Sequence, residues 1–428
     1  MPSAPRAGEA HIRSDPAAED ETEVPREARL LRDAQGKLVF IGDCAPLSFY
    51  QSVRQLVISR IDVDAFAGQN SQHAVLENAH TKGGSMGHPP VVRTASVPAM
   101  VDRYVTSTTG LVNLFEDTLL TDNITVWAES RCSSGSADMA SIVNYLVLAI
   151  GADEHDEESG PTYFDYAKEQ AFASLGGDLG IGTVQAFVLI TLYMLSACQI
   201  NSAFIYFGVA VRAAYAIGVH RTEVNARFGP ETGKQRDKLW KSLRILDLFL
   251  STSMGRPPAT SDVDCTVSYR TLDDQGEDVF DILDASVQIM LVLEIIVEEI
   301  YSRRKISLSI TDGISIQLRE WSARWLQQLK EVTSPNAVNG NVAVVNGACQ
   351  VIATYCYAVM LVSRPFLMYE LCRRLSDGVA QALPSKPAMI SGRLKLAEAC
   401  IDAACLMIDT VSDLINSGVV VGRMPLLV

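Results

Sequence analysis

Residues 201–221 read NSAFIYFGVAVRAAYAIGVHR, and after a short polar break residues 234–264 read KQRDKLWKSLRILDLFLSTSMGRPPATSDVD. The first stretch repeats at three and four residues. Phe204, Phe207 and Val211 share an apolar face, and Ala210, Ala214 and Gly218 form a ridge of small side chains against which another helix can pack closely. Gly218, followed by His220 and Arg221, suits a helix C-terminus, where glycine relaxes the backbone and cations meet the exposed carbonyls. In the second stretch Leu239, Leu243, Leu246 and Leu250 share one helical face, with Trp240, Asp247 and Met254 on the next. Gly255 ends that helix and Pro257-Pro258 bars its continuation. An aspartate beside an apolar face is costly without a partner. Arg212, Arg244 and Arg256 are the candidate cations for Asp247, the alternative being a carboxylate turned to solvent.

The same periodicity predicts further helices. One starts near Leu47, and others cover about 98–116, 137–150, 162–175, 182–197, 202–217, 234–253, 278–303, 314–330, 350–362, 364–376 and 393–417. Strand-like alternation is nearly absent and no internal repeat emerges. The fold class expected is therefore all-α, a large multi-helix bundle. Residues 1–37, rich in Pro, Ala, Glu and Arg with little periodic apolar content, are expected to form a disordered N-terminal segment, and 38–428 to form one domain. The segment 63–96, rich in Gly, Ser, His and Asn, reads as a loop.

At 428 residues and 48% hydrophobic, the chain is long enough to bury a sizeable core. Its net charge of −14 and the absence of any basic cluster longer than Arg303-Arg304-Lys305 argue against the chain gripping nucleic acid by itself. The nine cysteines are odd in number, and their spacing fits no disulfide framework; they read as reduced thiols packed as small hydrophobes. Two uncharged stretches are long enough to span a bilayer. Residues 179–211 are interrupted by Gln185, Gln199, Asn201 and Ser202, and read better as two buried helices with a turn near Gln199; residues 337–363 are loosened by Asn and Gly. No membrane partner is therefore expected.

Candidate chemistry meets plainer readings. Asp273-Asp274-Gln275-Gly276-Glu277 spells the DDxxE pattern with which helical terpene synthases hold magnesium, but it contains a glycine, precedes its helix and has no second ligand set, so an acidic interhelical loop is expected. Residues 153–158 read as a solvated charge run and Gly176–Gly180 as a helix–helix turn. His220 fits a helix end or the core better than a metal, since the histidines show no metal-ligand spacing. No serine elbow, Walker loop or dinucleotide fingerprint is found, and no enzyme activity, catalytic residue, bound cofactor or metal is expected.

Gly218, His220, Arg221, Leu239, Trp240, Asp247, Gly255, Arg256, Pro257, Asp262 and Asp264 together resemble the middle homology region of fungal zinc-cluster transcription factors. Val219 and Lys241 replace the family's usual leucine and tryptophan. The ordered stretches Phe40–Asp43, Leu47–Phe49, Asn144–Ala152, Tyr163–Ala167, Thr183–Ala186, Ser363–Leu367 (with Arg364 and Pro365) and Ala399–Ala404 extend the resemblance from about Leu38 to the end. It implies a nuclear transcription regulator whose helical domain modulates activity, in some members through a small-molecule effector. Partners implied are the transcription machinery or a related zinc-cluster factor. In the family, six closely spaced cysteines hold two zinc ions and read DNA. Only Cys44 lies in the first hundred residues, so zinc and direct DNA contact are expected only from an upstream module. The alternatives are a DNA-free protein that sequesters or dimerises with a related factor and, more remotely, a helical terpene-synthase-like enzyme. The apolar residues 424–428 stop where the family's helices usually continue, which suggests a truncated C-terminus.

Overall fold

The structure, a computed structural model, describes residues 22–23, 29–32, 36, 38–66, 88–130, 138–152, 158–334, 341–376 and 387–416. Apolar residues at three- and four-residue spacing build thirteen α-helices among these residues: α1 (Pro46–Arg60), α2 (Val97–Thr108), α3 (Asp117–Ser130), α4 (Met139–Ile150), α5 (Ser159–Ala173), α6 (Ile181–Ser196), α7 (Ile200–Ala216), α8 (Thr222–Asn225), α9 (Pro230–Met254), α10 (Ile282–Ile296), α11 (Leu308–Thr333), α12 (Val342–Ser376) and α13 (Pro387–Asn416). Short polar side chains start several of them. Asp138 accepts from the Ser141 amide ahead of α4, Asp281 from Leu283 and Asp284 ahead of α10, and Ser307 from Ile310 ahead of α11.

The helices pack pairwise around one large core, beside a small separate cluster of Val39, Ile41, Ala45 and Met254. α4 packs on α5 and α6, α6 on α7, and α10 lies against both α9 and α12; α11 and α13 cover further faces of α12. The largest buried side chains include Trp240 and Trp325, with Tyr145, Phe187 and Phe207. Among the described residues there are four short strands: β1 (Thr22–Glu23) pairs antiparallel with β4 (Lys305–Ile306), and β2 (Arg29–Arg32) with β3 (Leu38–Ile41). The segment expected to be disordered, 1–37, lies largely outside the described residues; those of it that are described contribute β1 and β2. The charge run at 153–157 also lies outside them.

Several helix boundaries differ from the sequence reading. The expected helix over 98–116 stops at Thr108, and the unforeseen α3 begins at Asp117. Its sequence, with Thr121, Ile124, Thr125 and Val126, has modest helix propensity, so burial of Leu120 and Ile124 holds it. The two helices expected on either side of Pro365 are one, α12, and it begins at Val342 within a stretch thought to be loose. Pro365 cannot donate to the carbonyl of Leu361, four residues back. The hydroxyl of Tyr301 donates to that carbonyl instead, at 2.9 Å, from a π-helical turn (Val297–Ser302) that follows α10. With the freed acceptor satisfied, the helix runs through its proline.

By length and composition α12 is also the one helix among the described residues able to cross a membrane, but 67% of its most apolar window is buried against the rest of the protein. The stretch 179–211 forms α6 and α7 with a turn at 197–199, as its polar interruptions predict. Cys44, Cys349, Cys356 and Cys400 are buried and behave as the expected packed thiols, whereas Cys198, Cys372 and Cys405 are exposed. Burial pushes the Cys44, Cys349 and Cys356 thiols up to about 11.

Candidate functional site

Asp247 lies in the last two turns of α9 and is 1% exposed. Pro257-Pro258 turns the chain back after Gly255, and this return brings backbone amides onto the carboxylate. Ala259 N donates to Asp247 at 2.9 and 3.0 Å and Thr260 N at 2.6 Å, and the Thr260 hydroxyl donates as well. Burial pushes the Asp247 carboxyl up, against the opposing effect of these bonds. The expected direct pairing with an arginine is not what the structure shows. Arg212 is exposed on α7, and Arg256 bonds elsewhere. Arg244 reaches Asp247 only through Thr260 Oγ1, to which its Nη1 donates at 2.8 Å. An aspartate can satisfy itself on amides, and amides carry no signature in the sequence.

Arg244, fully buried, is the hub of the site. Its Nη2 bonds Glu294 of α10 at 2.6 Å and Asp262 of the returning loop at 3.0 Å. Burial works against its charge, but Glu294 and Asp262 hold it protonated beyond the ordinary arginine range. Asp262 also accepts from the Tyr269 hydroxyl at 2.6 Å, and that hydroxyl accepts from Trp240 Nε1 at 3.2 Å. Beside this network, Lys241 bonds Asp284 of α10, which also accepts from Thr271 at 2.7 Å. Helix α9 is thus tied by charge to α10 and to the loop that follows it.

The end of α7 joins from the other side. Gly218 turns the chain at φ +70°. The His220 ring packs against Tyr215 and Trp240, at centroid distances of 4.9 and 5.7 Å, the core-packing role expected of it; its Nε2 is 3.7 Å from Asp264. Arg221 bonds Asp264 and, at 2.6 Å, Glu223. The Tyr215 hydroxyl accepts from Ser261 N at 3.0 Å.

Gly255 adopts the left-handed conformation, φ +64°, directly against Gly42. A Cβ on Gly255 would lie 2.5 Å from the Gly42 Cα, so both positions require glycine. Gly42 N donates to Met254 O at 2.8 Å, and Arg256 bonds Asn201 at 2.6 Å and the Phe40 carbonyl at 3.2 Å. Pro257 is exposed at the turn. On the far side of the same loop, Arg364 of α12 donates to the Cys44 carbonyl at 3.0 Å and stacks 4.5 Å over the Phe49 ring. The early segment 40–49, the turn 255–257 and the region of Arg364 and Pro365, separated by hundreds of residues in sequence, therefore meet at one joint.

Among the described residues the ionisable groups of this joint are spent on one another, on backbone amides or on carbonyls. Asp273 is bound up in its own exposed turn, where its carboxylate accepts from Gln275 N at 2.8 Å and Glu277 N at 2.9 Å, so the DDxxE stretch is the acidic loop anticipated. The zinc implied for the resembling family finds no fit here: among the described residues no group of three His, Cys, Asp or Glu side chains could hold a metal. Sequence reasoning missed Thr260, Tyr269 and Glu294. Of these only Glu294, an acid within the apolar second half of α10, carried a visible signal.

A model of the fungal specific transcription factor domain matches residues 116–327, which include α3 to α10, most of α11 and the whole Arg244–Asp247 network. The chain carries a fungal specific transcription factor domain. The domain and its flanks are 23% identical over 421 residues to Filamentous growth regulator 27 of Candida albicans, covering 92% of this chain and 52% of that protein. Identity is 24% over 375 residues to an uncharacterized transcriptional regulatory protein of Schizosaccharomyces pombe, covering 79% and 45%. A 93-residue stretch, 21% of this chain, is 39% identical to 12% of the Acetamidase regulatory protein of Aspergillus fumigatus. The chain spans about half the length of the first two. No solved structure matches it.

Proposed function

We propose that this chain is the helical regulatory part of a fungal transcription regulator, that it works in the nucleus, and that it acts through the transcription machinery or a related zinc-cluster factor. The reading rests on the domain match together with relatives named as regulators. The observation that carries it at the level of atoms is the charge-tied joint. Arg244 couples α9 to α10 and to the loop 255–270, while the same loop's start is wedged against the 40–45 segment and, through it, α12. A change in one helix packing is thereby transmitted to the others, which suits a modulating scaffold. With a net charge of −14, the chain is assigned regulation through protein partners, not base reading.

The test tethers the full chain to a heterologous DNA-binding module upstream of a reporter in yeast. The expected result is a changed reporter level that Arg244→Met alters at equal protein abundance, with a fluorescently tagged chain in the nucleus. A tethered chain that leaves the reporter unchanged, or a tagged chain excluded from nuclei, overturns the proposal.

A further inference from the structure

Helices α3 and α4 and the amino end of α6 leave a cleft of about 380 Å³, within the size range of small-molecule sites. Leu120, Ile124, Met139 and Val143 line its apolar wall. The wall is held in place: Gln185 Nε2 donates to the Leu114 carbonyl at 2.7 Å, and Gly182 lies so close to Met139 that a Cβ there would meet its Cγ at 2.7 Å. The cleft also carries Asn144 and Asp178. Among the described residues neither side chain has a hydrogen bond or ion pair. The amides at the start of α6 do not use Asp178: Gly180 N faces Thr183 Oγ1 at 3.4 Å, and the Thr183 and Val184 amides bond the Gly180 carbonyl. Among the described residues no lysine, arginine or histidine lines the cleft.

An apolar hollow bordered by an unpartnered carboxylate and an unpartnered amide selects its occupant by charge. An acid would meet like charge at Asp178 with no cation among the described lining to answer it, whereas an ammonium group would pair with Asp178 while its hydrocarbon body displaces water from the wall. We propose that this cleft binds a small molecule with an apolar body and an amine head, the head at Asp178 and the body against Ile124, Met139 and Val143. The site lies on α3, α4, α6 and the loop that precedes α6, elements that the Arg244–Asp247 joint does not use, and its test does not depend on the regulatory reading.

The probe is 2-phenylethylamine, titrated calorimetrically into the full chain, with phenylacetate as the anionic counterpart. The amine is expected to bind saturably and the acid not. Asp178→Asn should weaken the amine roughly tenfold, and Ala140→Trp, on the exposed edge of the cleft, should abolish binding, both with unchanged melting curves. Absence of saturable amine binding, equal binding of phenylacetate, or binding indifferent to Ala140→Trp overturns the proposal.

Discussion

Asp247 and Arg244 stand three residues apart on α9, both buried, yet their partners differ in kind. Asp247 is satisfied mainly by the amides of residues 259 and 260, so Asp247→Ala leaves buried N–H groups without acceptors. We expect a loss of about 3 kcal/mol, read from the urea midpoint at constant m-value. Arg244→Met strands Glu294 and Asp262 and should cost about 3–5 kcal/mol, whereas the double variant Arg244→Met/Glu294→Leu should recover part of that loss because it removes the charge left buried. If the double variant were less stable than Arg244→Met alone, the assignment of Arg244 as hub would fail. The sequence announced that Asp247 needs a partner. It did not announce which, because a threonine hydroxyl and two amides reach the carboxylate only after the chain has turned at Pro257-Pro258.

At the scale of elements, α12 and the end of α9 each depend on a contact from distant sequence. Tyr301→Phe removes the donor to the Leu361 carbonyl and should cost about 1–2 kcal/mol, with faster amide exchange concentrated in the turn around Pro365; unchanged exchange there would refute the role given to Tyr301. Gly255→Ala forces a side chain into a left-handed position, a strain of about 1–2 kcal/mol, and also into Gly42. A melting temperature that drops further than in an alanine replacement of an open, positive-φ glycine such as Gly276 would separate the clash from the strain. Most helices were legible because their apolar spacing is strong. α3 was not, because its residues are indifferent to helix and only Leu120 and Ile124, once packed, decide it. Nor was the continuity of α12, since a proline reads as a break unless a remote donor replaces its missing bond.

For the whole molecule, acid stability balances two opposite sets of carboxylates. Burial pushes Asp247, Asp284 and Glu294 up, so their cost at neutral pH eases as the pH falls. Glu370, bonded by Arg373 at 2.8 and 2.9 Å and by Arg374 at 2.6 Å, is held down at about 2 from an ordinary 4.5. Between these values the unfolded chain binds the extra proton, so the contribution of Glu370 is complete above about pH 4.5 and is lost as the pH falls toward 2. The stability difference between the natural chain and Glu370→Gln, followed by thermal melts from pH 6 to 2, should therefore shrink steadily below about 4.5; a constant difference would remove this ion pair from the account. By itself the sequence determined the helical class, most helix positions, the place of an aspartate beside an apolar face and the ordered stretches that resemble fungal regulators, because each is a matter of local periodicity or short-range spacing. Only the tertiary structure decided that residues 40–49, 255–257 and the region of Arg364 converge, that Arg244 answers Glu294 while Asp247 answers amides, and that a cleft opens beside Asp178. These depend on how helices cross and where loops return, distances that no spacing along the chain encodes.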